Sequence, residues 1–207
     1  MTVSDNGRAS PLCRRQLDPD PLRQLLTWLA EAERTGCPQP EAAALATATR
    51  QGRPSARMVL VKGADPRGLR FYTGYESRKG REIAENPWAA ICFYWYELGR
   101  QVRVEGKVER LPASESDLYF ATRPYGAQLS AAASRQSEVV RARRELEAEV
   151  ERLRQAYPEQ VPRPLHWGGY RLVPEAYEFW QHREDRLHDR FRYLLIDGSW
   201  QIDRLAP

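Results

Sequence analysis

The feature that most constrains the fold of this chain is a series of short segments with the residue pattern of β-strands. Residues typical of turns join these segments. In residues 100–110, three valines alternate with Gln, Arg, Glu and Lys, so that polar and apolar positions follow one another. This period of two is typical of a strand with one face in the core. Residues 42–49 and 55–62 flank a turn that contains Gly and Pro, which predicts a β-hairpin.

The remaining segments extend this antiparallel pattern. We predict further strands at residues 69–73, 88–96, 167–173, 176–180, 191–196 and 200–203. The segment 88–96 is a continuous apolar and aromatic run, which indicates burial on both faces. About eight strands, mostly linked by hairpins, predict a mainly β (α+β) fold, an antiparallel barrel with peripheral helices.

Three or four helices are expected around this barrel. Asp20 and Pro21 open the first, with leucines at positions 22, 25, 26 and 29 as its apolar face. Ser77 caps a helix over 78–85, Ser114 begins another with a capping box, and 139–157 is the longest. Residues 1–19 are polar and aperiodic, which predicts a mobile tail before a single domain at 20–207.

Charge and composition limit the partners that this chain is expected to have. Its 32 basic residues exceed its 28 acidic ones by four, but the two signs alternate along the charged helix, which is typical of a solvated face rather than a nucleic-acid surface. There is no membrane-spanning run and no apolar leader. The three cysteines have neither the spacing of a metal site nor that of a disulfide framework. Together these features predict a cytoplasmic protein.

Several common catalytic motifs are absent from the sequence. It contains no GxGxxG or Walker loop and no GxSxG elbow. Its histidines, His166, His182 and His188, lack metal-ligand spacing, so no metal site is expected. The chemistry is therefore expected to belong to an organic cofactor.

Cationic residues lie at the ends of predicted strands and at one helix start. Arg57 and Lys62 bracket one strand, and Arg78 and Lys79 occupy the first turn of the helix that Ser77 caps. Helix N-terminal amides together with Arg and Lys bind phosphate well. The residues alone therefore predict a barrel that binds a phosphorylated ligand.

Six motifs in a fixed order resemble one known family. They are YTGYESRKG at 72–80, RQVRVEG at 100–106, WGGYR at 167–171, EFWQ at 178–181, RLHDR at 186–190 and RLAP at 204–207. Together, over residues 21–207, they resemble the pyridoxine (pyridoxamine) 5′-phosphate oxidases. The resemblance implies an FMN-binding split β-barrel that works as a homodimer with FMN at the interface. It also implies oxidation of pyridoxine or pyridoxamine 5′-phosphate to pyridoxal 5′-phosphate, with O2 as acceptor and H2O2 as product.

The same resemblance assigns roles to individual residues. It implies that FMN is bound by Arg57, Met58, Val59, Leu60, Lys62, Tyr72, Thr73, Arg78, Lys79, Gln101, Gln136, Ser137, Trp180 and Arg190. It implies that the substrate is bound by Lys62, Tyr119, Arg123, Arg186 and His188. Of these, Arg186 and His188 would be catalytic, facing the pyridine ring.

The match departs from the family on the substrate side. Ala127 stands where the family has a phosphate-contacting Ser, Ser130 replaces a Gly, and Gln39 replaces an acidic residue. Two alternatives therefore stay open. One is a flavin oxidase of the phenazine type, which acts on a reduced aromatic substrate. The other is a non-catalytic barrel that carries FMN or binds nucleic acid.

Overall fold

A computed structural model describes residues 11–207, in which eight strands form one antiparallel sheet. The strands are β1 (Ala42–Ala48), β2 (Pro54–Asp65), β3 (Gly68–Gly74), β4 (Trp88–Trp95), β5 (Arg100–Arg110), β6 (Trp167–Gln181), β7 (Asp189–Ile196) and β8 (Ser199–Arg204). Their order is β3-β2-β1-β4-β5-β6-β7-β8, and β3 also pairs with β6. This pairing closes six strands into a barrel, from which β7 and β8 extend. The expected antiparallel barrel is confirmed.

The barrel interior is filled by the inward side chains of alternating strand positions. On β5 the expected alternation is confirmed, because Val102 and Val104 are fully buried. On β4, however, the expectation of burial on both faces is wrong. Ile91 and Phe93 point into the core, whereas Trp88 and Tyr94 are about half exposed. An apolar run shows that a strand is hydrophobic but not that both of its faces are covered.

One long strand replaces two predicted ones at the C-terminal side. β6 runs through the break expected near residue 174, and its register with β5 shifts next to Gly106. A Cβ at Gly106 would lie 1.9 Å from the Val173 carbonyl oxygen, so glycine is required at this bulge. The strand pairs with β3 in its first half and with β7 in its second half.

Five α-helices lie outside the barrel in the part of the chain that the structure describes. They are α1 (Pro21–Arg34), α2 (Arg78–Glu85), α3 (Ala113–Ala121), α4 (Tyr125–Ala133) and α5 (Arg143–Ala156). Asp20 caps α1 by accepting from the Leu22 N–H at 2.9 Å, as expected from the sequence. The buried face of α1 differs from the leucine stripe. It is built on Leu25, Trp28 and Ala32, while Leu26 is exposed.

Helices α3, α4 and α5 pack around a second, smaller core. Phe120, Leu129, Leu153 and Trp167 meet there. The capping box predicted at Ser114 is wrong, because α3 begins one residue earlier behind Pro112 without a side-chain cap. Helix α4 was not predicted, and α5 begins at residue 143 rather than 139.

The segment before α1 is partly packed against the barrel. Leu12 and Leu17 are buried, and the Leu12 N–H donates to Asp189 Oδ2 at 3.0 Å. The part of the expected mobile tail from residue 12 onward is therefore ordered against the core, while residues 1–10 lie outside the described residues. Within residues 11–207, no helix is long and apolar enough to cross a membrane.

Candidate active site

A cavity of about 740 Å³ lies between the β2–β3 side of the barrel and helices α2, α3 and α4. Of the residues to which the sequence assigned a role, it is lined by Arg57, Met58, Val59, Leu60, Lys62, Tyr72, Thr73, Arg78, Lys79, Tyr119, Arg123, Gln136 and Ser137. Ser55, Ala56, Gly74, Ser130, Ala131, Ser134 and Trp167 also line it. Residues of β2, β3, α2, α3, α4 and β6, together with residues that follow α3 and α4, thus converge on one space.

One end of the cavity is an anion cradle, by which we mean Arg57, Arg78, Lys79, Ser137 and the first turn of α2. Ser77 caps α2, with its hydroxyl oxygen accepting from the Gly80 N–H at 3.3 Å. The Arg78 N–H donates to Ser137 Oγ at 3.1 Å. Cations at the positive end of a helix favour a bound anion such as phosphate.

Lys79 is a buried cation that has no carboxylate in hydrogen-bonding contact among residues 11–207. Its Nζ donates to Thr73 Oγ1 and to Gln136 Oε1, both at 3.0 Å. Burial, with a further contribution from the charge of Arg57, lowers the pKa of Lys79 to about 8, and Glu82 partly offsets this effect. A desolvated ammonium with neutral partners is stabilised by an anionic ligand. The cradle therefore fits a phosphate group.

Glu82 lies behind the cradle and contacts two of its cations. Its side chain is nearly buried, and it accepts from Arg57 Nη2 at 3.2 Å and from Arg78 Nε at 2.9 Å. Burial raises the pKa of Glu82, but hydrogen bonds from Ser55, Thr47, Arg78 and Arg57 outweigh it and lower the pKa to about 2. Three cations and one carboxylate give this end of the cavity a net charge of +2.

Arg123 forms a second cationic group in the same cavity. Its guanidinium lies over the Trp167 ring at 4.6 Å. Its Nη1 is buried and has no hydrogen-bond partner among the described residues. Burial lowers the pKa of Arg123, but an arginine stays charged at neutral pH. Because Arg123 also lines the cavity, this nitrogen can donate to an acceptor of a ligand bound there.

Aromatic side chains hold this second cationic group in place. Tyr72 and Tyr119 stack with ring centroids 3.7 Å apart, and Trp167 stacks on Tyr72 at 5.8 Å. Lys62 also lines the cavity, but its Nζ forms an ion pair with Glu41 at 3.0 Å. Of Lys62 and Arg123, only Arg123 has no ion pair with a carboxylate among the described residues.

The other five assigned residues lie elsewhere, in what we call the outer cluster: Gln101, Trp180, Arg186, His188 and Arg190. Gln101 pairs with Trp180 across β5 and β6, and Trp180 pairs with Arg190 across β6 and β7. The Trp180 and His188 rings are 4.7 Å apart. Strands β1 and β4 lie between β2 and β5, so about 14 Å of sheet separates the cavity wall from Gln101.

An apolar surface connects the cavity wall with the outer cluster. This open sheet face is the outward side of β2, β1 and β4, where Met58 is 66% and Tyr94 55% exposed, and the polar outward side of β5 borders it. Between them lie small side chains, among them Ala44, which pairs with Met58 on one side and Cys92 on the other. A contiguous exposed apolar surface of this kind is typical of a protein interface.

Comparisons with known proteins identify the family. The family model described as pyridoxamine 5′-phosphate oxidase matches residues 29–157, and the one described as pyridoxine 5′-phosphate oxidase C-terminal dimerisation region matches residues 167–207. The chain belongs to the pyridoxine/pyridoxamine 5′-phosphate oxidase family. It is 53% identical over 193 residues to a pyridoxine/pyridoxamine 5′-phosphate oxidase of Paraburkholderia phytofirmans, covering 92% of this chain and 91% of that protein.

Two solved structures share the fold of this chain. PhzG from Burkholderia lata 383, in complex with tetrahydrophenazine-1-carboxylic acid, is 37% identical with a TM-score of 0.92, over 97% of this chain and 100% of that one. A pyridoxamine 5′-phosphate oxidase-related, FMN-binding protein from Nostoc punctiforme is 20% identical with a TM-score of 0.71, over 92% of this chain and 100% of that one. The family, the split-barrel fold and the oxidoreductase class expected from the motifs are confirmed.

The three departures from the pattern of this oxidase family occupy different places. Ser130 lines the cavity, and its hydroxyl donates to the Gly126 carbonyl at 2.8 Å. Ala127 lies on the same helix, α4, almost one turn earlier. Gln39 is exposed in the loop before β1, with a left-handed φ of 48°. Of the three, Ser130 is the one whose side chain reaches the cavity lining.

Sequence reasoning missed four residues of this site: Thr47, Ser55, Glu82 and Trp167. Glu82 follows Arg78 at a spacing of four on α2, and this spacing is a readable sign of a helical ion pair. Thr47 and Ser55 are directly opposite each other in the β1–β2 hairpin. That these two hydroxyls meet Glu82 depends on how α2 packs on β1.

Proposed function

We propose that this chain is an FMN-dependent oxidase that converts pyridoxine 5′-phosphate or pyridoxamine 5′-phosphate to pyridoxal 5′-phosphate, with O2 as acceptor and H2O2 as product. The observation that carries the proposal is a single cavity with two cationic groups, the anion cradle and Arg123. A reaction between a phosphorylated cofactor and a phosphorylated substrate requires two such groups. Family membership supports the same reaction.

The anion cradle would hold the FMN phosphate. Its net charge of +2, with Glu82 included, balances the nearly dianionic charge of a phosphate monoester at pH 7. Thr73, Tyr72 and Gln136 line the adjoining cavity wall and offer polar groups to the rest of the cofactor. When bound, FMN supplies a two-electron acceptor that the side chains of this protein cannot provide.

Arg123, Tyr119 and Lys62 would bind the substrate phosphate, and Arg186 and His188 would contact the pyridine ring. The His188 Nδ1 accepts from the Arg183 N–H at 3.0 Å. In its neutral form the ring therefore carries its proton on Nε2, which can act as a donor. These groups would orient the substrate and exclude water. The oxidation itself would be carried by the cofactor, so the protein needs no nucleophilic side chain.

The separation of the two residue groups supports a homodimer. Within one chain, strands β1 and β4 separate the outer cluster from the cavity, and the open sheet face lies between the two. A second copy that covers this face would carry its outer cluster to the cavity of the first. The match of residues 167–207 to a dimerisation region supports this arrangement, because these residues include Trp180, Arg186, His188 and Arg190.

A second candidate function is oxidation of a reduced phenazine carboxylic acid. It is favoured by the likeness to PhzG and by Ala127, which lacks the hydroxyl expected beside a substrate phosphate. Arg123 suits the phosphate of one candidate substrate and the carboxylate of the other, since a guanidinium pairs with either. The higher identity to pyridoxine/pyridoxamine 5′-phosphate oxidases supports the pyridine 5′-phosphate.

The visible spectrum of the purified protein tests the proposed function. We expect flavin absorption that bleaches when pyridoxamine 5′-phosphate is added without air, and that returns with H2O2 when O2 is admitted. A reduced phenazine carboxylic acid is the matched comparison substrate. Bleaching only by the phenazine would favour the second candidate. A protein that takes up no FMN after incubation with it would refute both.

Mixing two inactive variants tests the shared active site. Arg123→Ala removes a cavity residue and Arg186→Ala removes an outer-cluster residue, so in a mixed dimer one of the two sites is intact. Random assortment then gives about a quarter of the wild-type turnover. The control mixture of Arg123→Ala with Lys62→Ala should stay inactive, since every site lacks a cavity residue. Recovery in neither mixture would contradict a site shared between two copies.

A further inference from the structure

A chain of hydrogen bonds with one fixed direction connects Arg57 to Glu82. Arg57 Nη1 donates to Thr47 Oγ1 at 2.5 Å, and Nη2 donates to Ser55 Oγ. Both hydroxyls in turn donate to Glu82 Oε2, each at 2.5 Å. A guanidinium only donates and a carboxylate only accepts. The two hydroxyls are therefore each oriented by the groups at the two ends.

The same carboxylate also contacts the second arginine of the cradle. Glu82 Oε1 accepts from Arg78 Nε at 2.9 Å. Arg78 is otherwise a long side chain with 60% of its surface exposed, which would leave it many rotamers. One buried carboxylate thus joins a cation on β2 with a cation on α2, and both of its oxygens are used as acceptors.

We propose that Glu82 is a positioning residue of the FMN phosphate site, which holds Arg57 and Arg78 in the geometry that the phosphate requires and limits the net charge of the site to +2. The inference rests on the proposed function, since FMN is the ligand of the cradle. Glu82 acts through the two arginines and does not itself contact the phosphate. Charged donors that are already oriented lose less freedom when the anion binds.

Glu82 also supports the charge of Lys79. The charged groups that act on Lys79 are Arg57, which favours loss of its proton, and Glu82, which opposes it. Its hydrogen-bond partners Thr73, Ser77 and Gln136 are neutral. Removing the carboxylate leaves the cation of Arg57 unopposed, so Lys79 loses its proton at a lower pH. The affinity for FMN is then expected to start falling at a lower pH than in the wild-type protein.

The Glu82→Gln variant tests this role by its binding of FMN and of riboflavin, which lacks the phosphate. The glutamine amide has one accepting oxygen, whereas the carboxylate accepts on both. Its NH2 group would therefore face hydrogen-bond donors and could not accept from them. We expect the Kd for FMN to rise at least about tenfold, with the Kd for riboflavin unchanged and the high-pH weakening of FMN binding moved to lower pH. Glu82→Asp keeps two acceptors and should recover part of the affinity. Glu85→Gln, an exposed position on the same helix, is the control.

Three results would overturn the proposal. They are an unchanged or lower Kd for FMN, an equal loss of affinity for FMN and riboflavin, and an unmoved pH dependence. If the wild-type protein binds FMN no more tightly than riboflavin, the cradle assignment itself fails, and the proposed function with it.

A second variant keeps the inference testable if circular dichroism shows that Glu82→Gln does not fold. Ser55→Ala retains the carboxylate and removes one hydroxyl of the chain between Arg57 and Glu82. We expect about a threefold loss of affinity that is specific to FMN. Equal affinity to wild type in this folded variant would refute the positioning role.

Discussion

The Arg57→Ala variant is expected to purify without flavin and to bind added FMN at least about 100-fold more weakly than the wild-type protein. The substitution removes a two-pronged cation from the anion cradle and reduces the net charge there from +2 to +1. It also leaves the buried Glu82 with one donor fewer. Flavin absorbance per protein after purification and the Kd of the apoprotein for FMN measure the effect.

The same variant is expected to be less stable than wild type. The buried Glu82 loses a charged donor but keeps Arg78, Thr47 and Ser55, so we expect a loss of about 1–3 kcal/mol in the free energy of unfolding. Arg53→Ala, in the exposed turn of the same hairpin, is the control and should retain flavin and stability. Arg57→Lys keeps the charge without the fork and should bind FMN with intermediate affinity. Full flavin content in Arg57→Ala would place the phosphate elsewhere.

The Arg123→Ala variant is expected to keep its FMN but to lose at least about 100-fold in kcat/KM for pyridoxamine 5′-phosphate. The guanidinium over Trp167 has a buried nitrogen without a hydrogen-bond partner among the described residues, to which a substrate phosphate would supply an acceptor. Because the interaction is with the substrate phosphate, any oxidation of unphosphorylated pyridoxamine should proceed at the same rate in the variant and the wild type. Steady-state oxidation of the two substrates measures this loss of discrimination.

The control for Arg123 is Arg144→Ala on the exposed surface of α5. It removes the same charge far from the cavity and should behave as wild type. If Arg123→Ala slowed both substrates equally, Arg123 would serve the reaction rather than phosphate recognition. Unchanged kinetics for both substrates would indicate that the substrate phosphate lies at another group.

Parts of the fold followed from local pattern, and others did not. The alternation in β5 was sufficient to predict the strand because one of its faces is in water and the other in the core. Polar residues therefore occupy one face and valines the other. Helix α4, with the sequence YGAQLSAAA, has neither a polar cap nor a clear apolar stripe. It is held by packing against α5 and by the smaller core, which no local pattern reports.

The candidate site divides in the same way. Arg78 and Lys79 were found because a capping serine and two cations in one helical turn are adjacent in the chain. The Arg123–Trp167 contact and the convergence of Thr47, Ser55 and Glu82 join distant segments. Their partners depend on sheet register and helix packing, so their roles could not be found from spacing.

By itself, the sequence determined the strand pattern, the capped helix with its cations and, through six ordered motifs, the family. Only the tertiary structure decided which cation is left unpaired, which carboxylate orients the others, and that the assigned residues divide between a cavity and an outer cluster. The physical reason is that pattern reports the contact of each residue with water or core. Hydrogen bonds and ion pairs between distant segments exist only once the barrel has closed and the helices have packed on it.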